Sequence, residues 1–143
     1  MQDAFATAVE RWPNDGTPAN PGAYQLQAAI AALHAEAPDA DHTDWAQIAA
    51  LYLQLEQLTG SPVVTLNRAV AVAMAEGYEH GLELMEGLPL EGYHLYHAAR
   101  ADLLRRLERH GEAAAAYRRA LELTRNEPER RFLSDRLEQI ATP

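Results

Sequence analysis

TLNRAVAVAMAEGYEHGLELMEGL (residues 65–88) and HAARADLLRRLERHGEAAAAYRRA (residues 97–120) read as two copies of one helix-pair unit, offset by 32 positions. Arg68-Ala69 falls on Arg100-Ala101, and Val72, Ala75, Tyr78, Gly81 and Met85 fall on Leu104, Leu107, His110, Ala113 and Tyr117. This is the pattern of a tetratricopeptide-like pair. A small residue on each helix lets two backbones approach, and an aromatic or Met side chain fills the gap between turns. Few residues are identical across the offset, so the repeat rests on residue type and spacing. Units of this kind bind partners and seldom catalyse.

The remainder of the chain fits an all-helical reading. Apolar residues recur every three or four positions, Pro and Gly interrupt them at short intervals, and no stretch alternates with period two long enough to suggest a sheet. The periodicity predicts helices over residues 2–12, 24–37, 44–58, 61–76, 78–86, 93–109 and 112–124, and a last one from Asn126. Thr43 and Ser61 stand where helix caps are wanted, Pro62 suits a first helical position, and Asn126 with Glu129 spells a capping box. Asn14 to Gly22 holds three turn signals and reads as a linker. The expected fold is a short right-handed solenoid of antiparallel tetratricopeptide-like pairs over residues 24–143, with an extra N-terminal helix and linker over residues 1–23.

At 143 residues, 48% hydrophobic and 23% charged, the chain can bury one real core. It has no Cys, so it offers no thiolate nucleophile and no Cys-ligated zinc. With no signal-like start and no apolar run near the ~20 residues of a bilayer span, a cytoplasmic chain without membrane contact is expected. The net charge of −9 is uneven. Residues 1–99 carry two Arg against thirteen acidic residues, whereas residues 100–143 carry ten against eight, interleaved at helical spacing. An acidic front repels phosphate backbones, so direct nucleic-acid binding is not expected.

With the helices placed, YQLQAAIAALHAE (24–36), TDWAQIAALY (43–52), SPVVTLNRAVAVA (61–73) and HAARADLLRRL (97–107) resemble the C-terminal tetratricopeptide-like extension of one group of extracytoplasmic-function RNA polymerase sigma factors. Polar residues such as Asn67, Arg68 and Asp102 match along with the core. QDAFATAVERW (2–12) and NPGA (20–23) resemble part of sigma region two, which helps contact the polymerase. In full-length relatives the promoter-melting helix, the promoter-reading helix-turn-helix and the start of the extension would lie between Ala23 and Tyr24. The resemblance therefore implies a chain without the parts that touch promoter DNA. It also implies a protein partner in transcription regulation: core polymerase, an intact sigma factor or a signalling protein.

Asn67, Arg68, Arg100 and Asp102 are the candidate partner-binding residues. Each arginine occupies a spot where an ordinary tetratricopeptide unit carries Leu, and a charge near a helix seam must find a carboxylate or line a groove. Two readings stand: internal pairing, with Asp44, Asp102 or Glu76 as the acid, and recognition of an acidic or C-terminal group, since the guanidinium fork suits carboxylates. Phe5, Val9 and Trp12 form one stripe of the first helix and are candidate homodimer contacts.

His94 and His97, three apart, could share a metal with Glu91 or His80, but the adjacent Tyr93, Leu95 and Tyr96 favour a packed aromatic seam, and no metal or cofactor is expected. Ser61 and Thr65 lack an elbow motif, and the glycines sit singly at helix ends. No catalytic residue is assigned, and a non-enzymatic adaptor is the leading expectation. Promoter-directed sigma activity and a small-molecule or metal-sensing domain are the alternatives.

Overall fold

The computed structural model describes residues 21–141. The expected N-terminal helix, with Phe5, Val9 and Trp12, lies outside the described residues. Seven α-helices and one 3-10 turn make up the described chain, with no strand among them, so the all-α expectation holds. The chain divides into two compact units, residues 1–85 and 86–143.

In the first unit, α1 spans Pro21–Glu36, α2 Trp45–Thr59, α3 Pro62–Glu76 and α4 Tyr78–Met85. Helix α1 starts three residues earlier than the spacing predicts, inside the expected linker. Pro21 opens it because the first amide of a helix is unpaired anyway, so nothing is lost to the ring. The helix then runs without a break through Ala23-Tyr24. Ile30 from α1, Ile48, Tyr52 and Leu55 from α2, and Val64 and Ala71 from α3 share one core, with Leu26, Leu33 and Trp45 packed around it. Each fully buried Leu or Ile contributes about 1.5–3 kcal/mol of transfer free energy. Burial also pushes the Tyr52 hydroxyl pKa upward.

The caps differ from the expected ones. Asp44, not Thr43, caps α2: its Oδ1 accepts from the Gln47 amide at 3.1 Å, while the Thr43 hydroxyl donates backwards to the Asp39 carbonyl. Ser61 sits at the N-cap of α3, but its hydroxyl accepts no cap bond. Gly77 ends α3 as expected, its amide donating to the Ala73 carbonyl. One residue later α4 folds back onto α3, and Gly81 makes the approach possible. A methyl added there would lie 2.8 Å from the Ala69 carbonyl oxygen and against the Ala73 side chain.

In the second unit, α5 spans His94–Arg106, α6 His110–Leu123 and α7 Glu127–Ala141. Leu95, Ala99, Ala101, Leu103 and Leu104 of α5, Ala113, Ala116, Tyr117 and Ala120 of α6, and Leu133 of α7 are buried. Helix α5 stops short of the predicted Arg109 because Glu108 takes a left-handed conformation, φ 61°. The Glu108 amide donates to the Arg105 carbonyl and the Arg109 amide to the Leu104 carbonyl. That is the Schellman pattern, normally built on Gly. At α7 the Asn126 Oδ1 accepts from the Glu129 amide at 3.0 Å. The Glu129 carboxylate, however, receives the Thr124 hydroxyl, and it is Thr124 Oγ1 that accepts from the Asn126 amide.

Candidate functional site

The four sequence candidates meet different fates. Asn67 and Arg68 stand on α3 in the first unit, Arg100 and Asp102 on α5 in the second. Arg68 is closed by an internal partner that the sequence reading did not name. Its Nε lies 2.5 Å from Glu56 Oε2 on α2, and neither Asp44, Asp102 nor Glu76 takes that place. The acid was findable: Glu56 lies on the helix immediately before α3, on the side Arg68 faces.

Asn67 is 2% exposed, and neither its amide nitrogen nor its carbonyl oxygen finds a hydrogen bond among the described residues. A buried amide in that state costs about 1–3 kcal/mol. It stands beside Val64 and Ala71, one helical turn away on either side.

Asp102 is buried, at 1% exposure, and its carboxylate is occupied internally. Arg105 Nη2 donates to Oδ1 at 2.7 Å and Arg106 Nε to Oδ2 at 2.8 Å, the i+3 and i+4 neighbours that share a helix face with it. That spacing is legible in the sequence. Tyr117 of α6 lies against the same group. Burial and then the Asp102 carboxylate push its hydroxyl pKa up, while Arg105 and Arg136 pull it down. The Arg105 contact is poorly aligned, since neither Tyr117 Oη nor Arg105 Nε has a partner in hydrogen-bond geometry.

Arg100 differs from all three. Its side chain is half-buried on α5, one turn after Tyr96, and makes no hydrogen bond or ion pair among the described residues. Burial pushes the Tyr96 hydroxyl pKa up, Arg100 pulls it down, and Glu91 and Glu86 add to the rise.

The two histidines go separate ways. His94 Nε2, at the start of α5, lies 3.0 Å from Glu129 Oε2 of α7, but not in hydrogen-bond geometry. His97 Nε2 lies 2.7 Å from the Glu91 carbonyl oxygen, and its ring stands edge-on to Tyr96. No group of three His, Asp or Glu among the described residues is placed to hold a metal ion. No helix among them is long and apolar enough to cross a membrane.

Charge also separates the units. Among residues 21–85 Arg68 faces eight acidic residues, whereas residues 86–143 carry ten Arg and ten acids.

No family model matches this chain, and no solved structure matches it at a significant level. It is similar to an uncharacterized protein of Rhizobium meliloti (strain 1021), 50% identical over 123 residues. Those residues are 85% of this chain but 29% of the relative, so the chain spans less than a third of that protein's length.

Proposed function

We propose that the chain is a non-enzymatic protein-interaction domain, built of tetratricopeptide-like helix pairs and related to the regulatory tails of extracytoplasmic-function sigma factors. It acts in transcription regulation by protein contact in the cytoplasm. The observation that carries the reading is the recurrence of buried contacts at the 32-residue offset. Ala69, Val72, Gly81 and Met85 in the first unit and Ala101, Leu104, Ala113 and Tyr117 in the second are all buried, whereas the paired Ala75 and Leu107, and Tyr78 and His110, are not.

The connections support it too. A single residue separates α3 from α4 and three separate α5 from α6, short connections of the kind that join the two helices of a packed pair. The acid surplus of residues 21–85 argues against a phosphate backbone as the partner and for a protein.

Sedimentation of the chain with purified core RNA polymerase, and separately with an intact extracytoplasmic-function sigma factor, tests the reading. Comigration with either at micromolar concentration is the expected result. Free sedimentation beside both, together with binding to promoter DNA, would replace it with a DNA-directed activity.

A further inference from the structure

Six arginines are half-buried among the described residues, and five of them have at least one polar partner. Arg68 holds Glu56, Arg105 and Arg106 hold Asp102, Arg130 donates to the Leu121 and Thr124 carbonyls, and Arg136 reaches Gln139. Arg100 has neither hydrogen bond nor ion pair among them. The repeat supplies the reason. Arg68 takes its carboxylate from the residue twelve positions before it, and twelve positions before Arg100 stands Leu88. Helix α2, which carries Glu56, continues to Thr59, but α4 stops at Met85, and Leu88 lies in the turn-rich stretch of Gly87, Pro89 and Gly92. The second unit keeps the arginine and lacks the acid.

We infer that Arg100 is the receiving site for a carboxylate on an acidic segment of the domain's protein partner, an inference that rests on the protein-contact reading above. A half-buried guanidinium has lost part of its water, and a carboxylate docking on its planar fork restores two charge-assisted hydrogen bonds. Tyr96 stands one turn earlier on the same face of α5. Glu86 and Glu91 are exposed and neither forms an ion pair with Arg100, so water and salt screen them from an incoming acid. The chain's net charge of −9 gives no general attraction for acids. Recognition must be short-ranged and local to this fork.

The test uses the full chain labelled with 15N-arginine, titrated with N-acetylated, C-amidated pentaglutamate and, in parallel, with the matching pentaglutamine. The Arg100 Nε resonance, assigned by its disappearance in Arg100→Gln, is expected to shift saturably with pentaglutamate and not with pentaglutamine, while Arg68 stays put. Arg100→Gln should weaken pentaglutamate about tenfold, and Arg100→Lys, which keeps the charge and loses the fork, should recover only part of that. Equal affinity for Arg100→Gln, or shifts at the exposed Arg118 and Arg125 as large as at Arg100, would overturn the inference. The wider reading is scored separately. Polymerase or sigma comigration that survives Arg100→Gln unchanged removes the carboxylate site and keeps the interaction domain, whereas absence of comigration in the parent chain removes the domain's proposed role.

Discussion

Arg68 on α3 and Glu56 on α2 are bound to each other across the seam between two helices, with side chains 19% and 26% exposed. The pair fixes the register of those helices with one charge on each side. Its counterpart in the second unit, Arg100, has Leu88 where the acid would stand. One residue type in one repeat position therefore does two jobs: Arg68 belongs to the fold, and Arg100 is left to the surface.

Arg68→Ala is expected to lower stability by about 1.5 kcal/mol, between the value of a surface pair and that of a fully buried one. Arg100→Ala should cost less than about 0.5 kcal/mol. Urea denaturation of both variants checks the contrast, and equal losses would mean that the two arginines are equivalent after all.

Gly81→Ala sets two effects against each other. Alanine gains about 1 kcal/mol of helix propensity over glycine, but the added methyl meets the Ala69 carbonyl and the Ala73 side chain, an overpacking of about 1–3 kcal/mol or more against backbone that cannot step aside. The clash should win, with a net loss of about 2 kcal/mol. Gly111→Ala, in the first turn of α6 with nothing within 4 Å, should gain about 0.5 kcal/mol. Melting temperatures moving in the same direction for both would contradict this packing.

Asp102→Asn keeps the shape of the buried side chain and removes the charge that Arg105 and Arg106 share. Two cations would then stand at one site without a counterion, for a loss of about 3 kcal/mol. Chemical denaturation measures it, and replacing both arginines by Gln in the same background should recover part of the loss.

Glu108 holds a left-handed conformation at the end of α5, a state that disfavours a side chain by about 1–2 kcal/mol. Glu108→Gly relieves it at the expense of a more flexible unfolded chain, for a net gain of roughly 0.5–1 kcal/mol. A lowered melting point would show that the Glu108 side chain contributes something the backbone geometry does not reveal.

His34 lies edge-on to Trp45, ring centroids 5.4 Å apart, and burial pushes its pKa below the ordinary 6.5. In the unfolded chain it takes up a proton near pH 6.5, whereas in the folded chain it does so only at lower pH. Its contribution is thus fully present above about pH 6.5 and is lost as the pH falls from there towards the folded value. His34→Leu should flatten the decline of stability between pH 7.5 and 5, followed by urea unfolding at each pH. An unchanged slope would assign the acid sensitivity to other groups.

Much of the architecture was legible because its causes are local. Three-to-four spacing of Ile48, Tyr52 and Leu55 makes α2 a helix wherever it sits, Gly77 ends α3 through its own backbone, and Ala69 and Gly81 announce a close crossing by being small. Caps were less legible. Thr43 and Asp44 are both good cap residues, and one residue of phase decides between them. Glu108 carries no mark of a left-handed residue at all; α6 begins at His110, two residues later, and the chain has to reverse within that short connection.

For this protein the sequence alone determined the all-helical class, most helix boundaries and the four residues with unusual charge or polarity, since each depends on neighbours within a turn or two. Tertiary structure decided the partner of Arg68 and left Arg100 without one, whereas Asp102 meets Arg105 and Arg106 through spacing within one helix. Glu56 and Arg68 are twelve residues apart and meet because two helices cross, Asp102 is taken up by Arg105 and Arg106 as it is buried, and Arg100 keeps its charge unmatched because α4 ends before Leu88. Charge is written in the chain. Its cancellation depends on distances through space that only packing fixes.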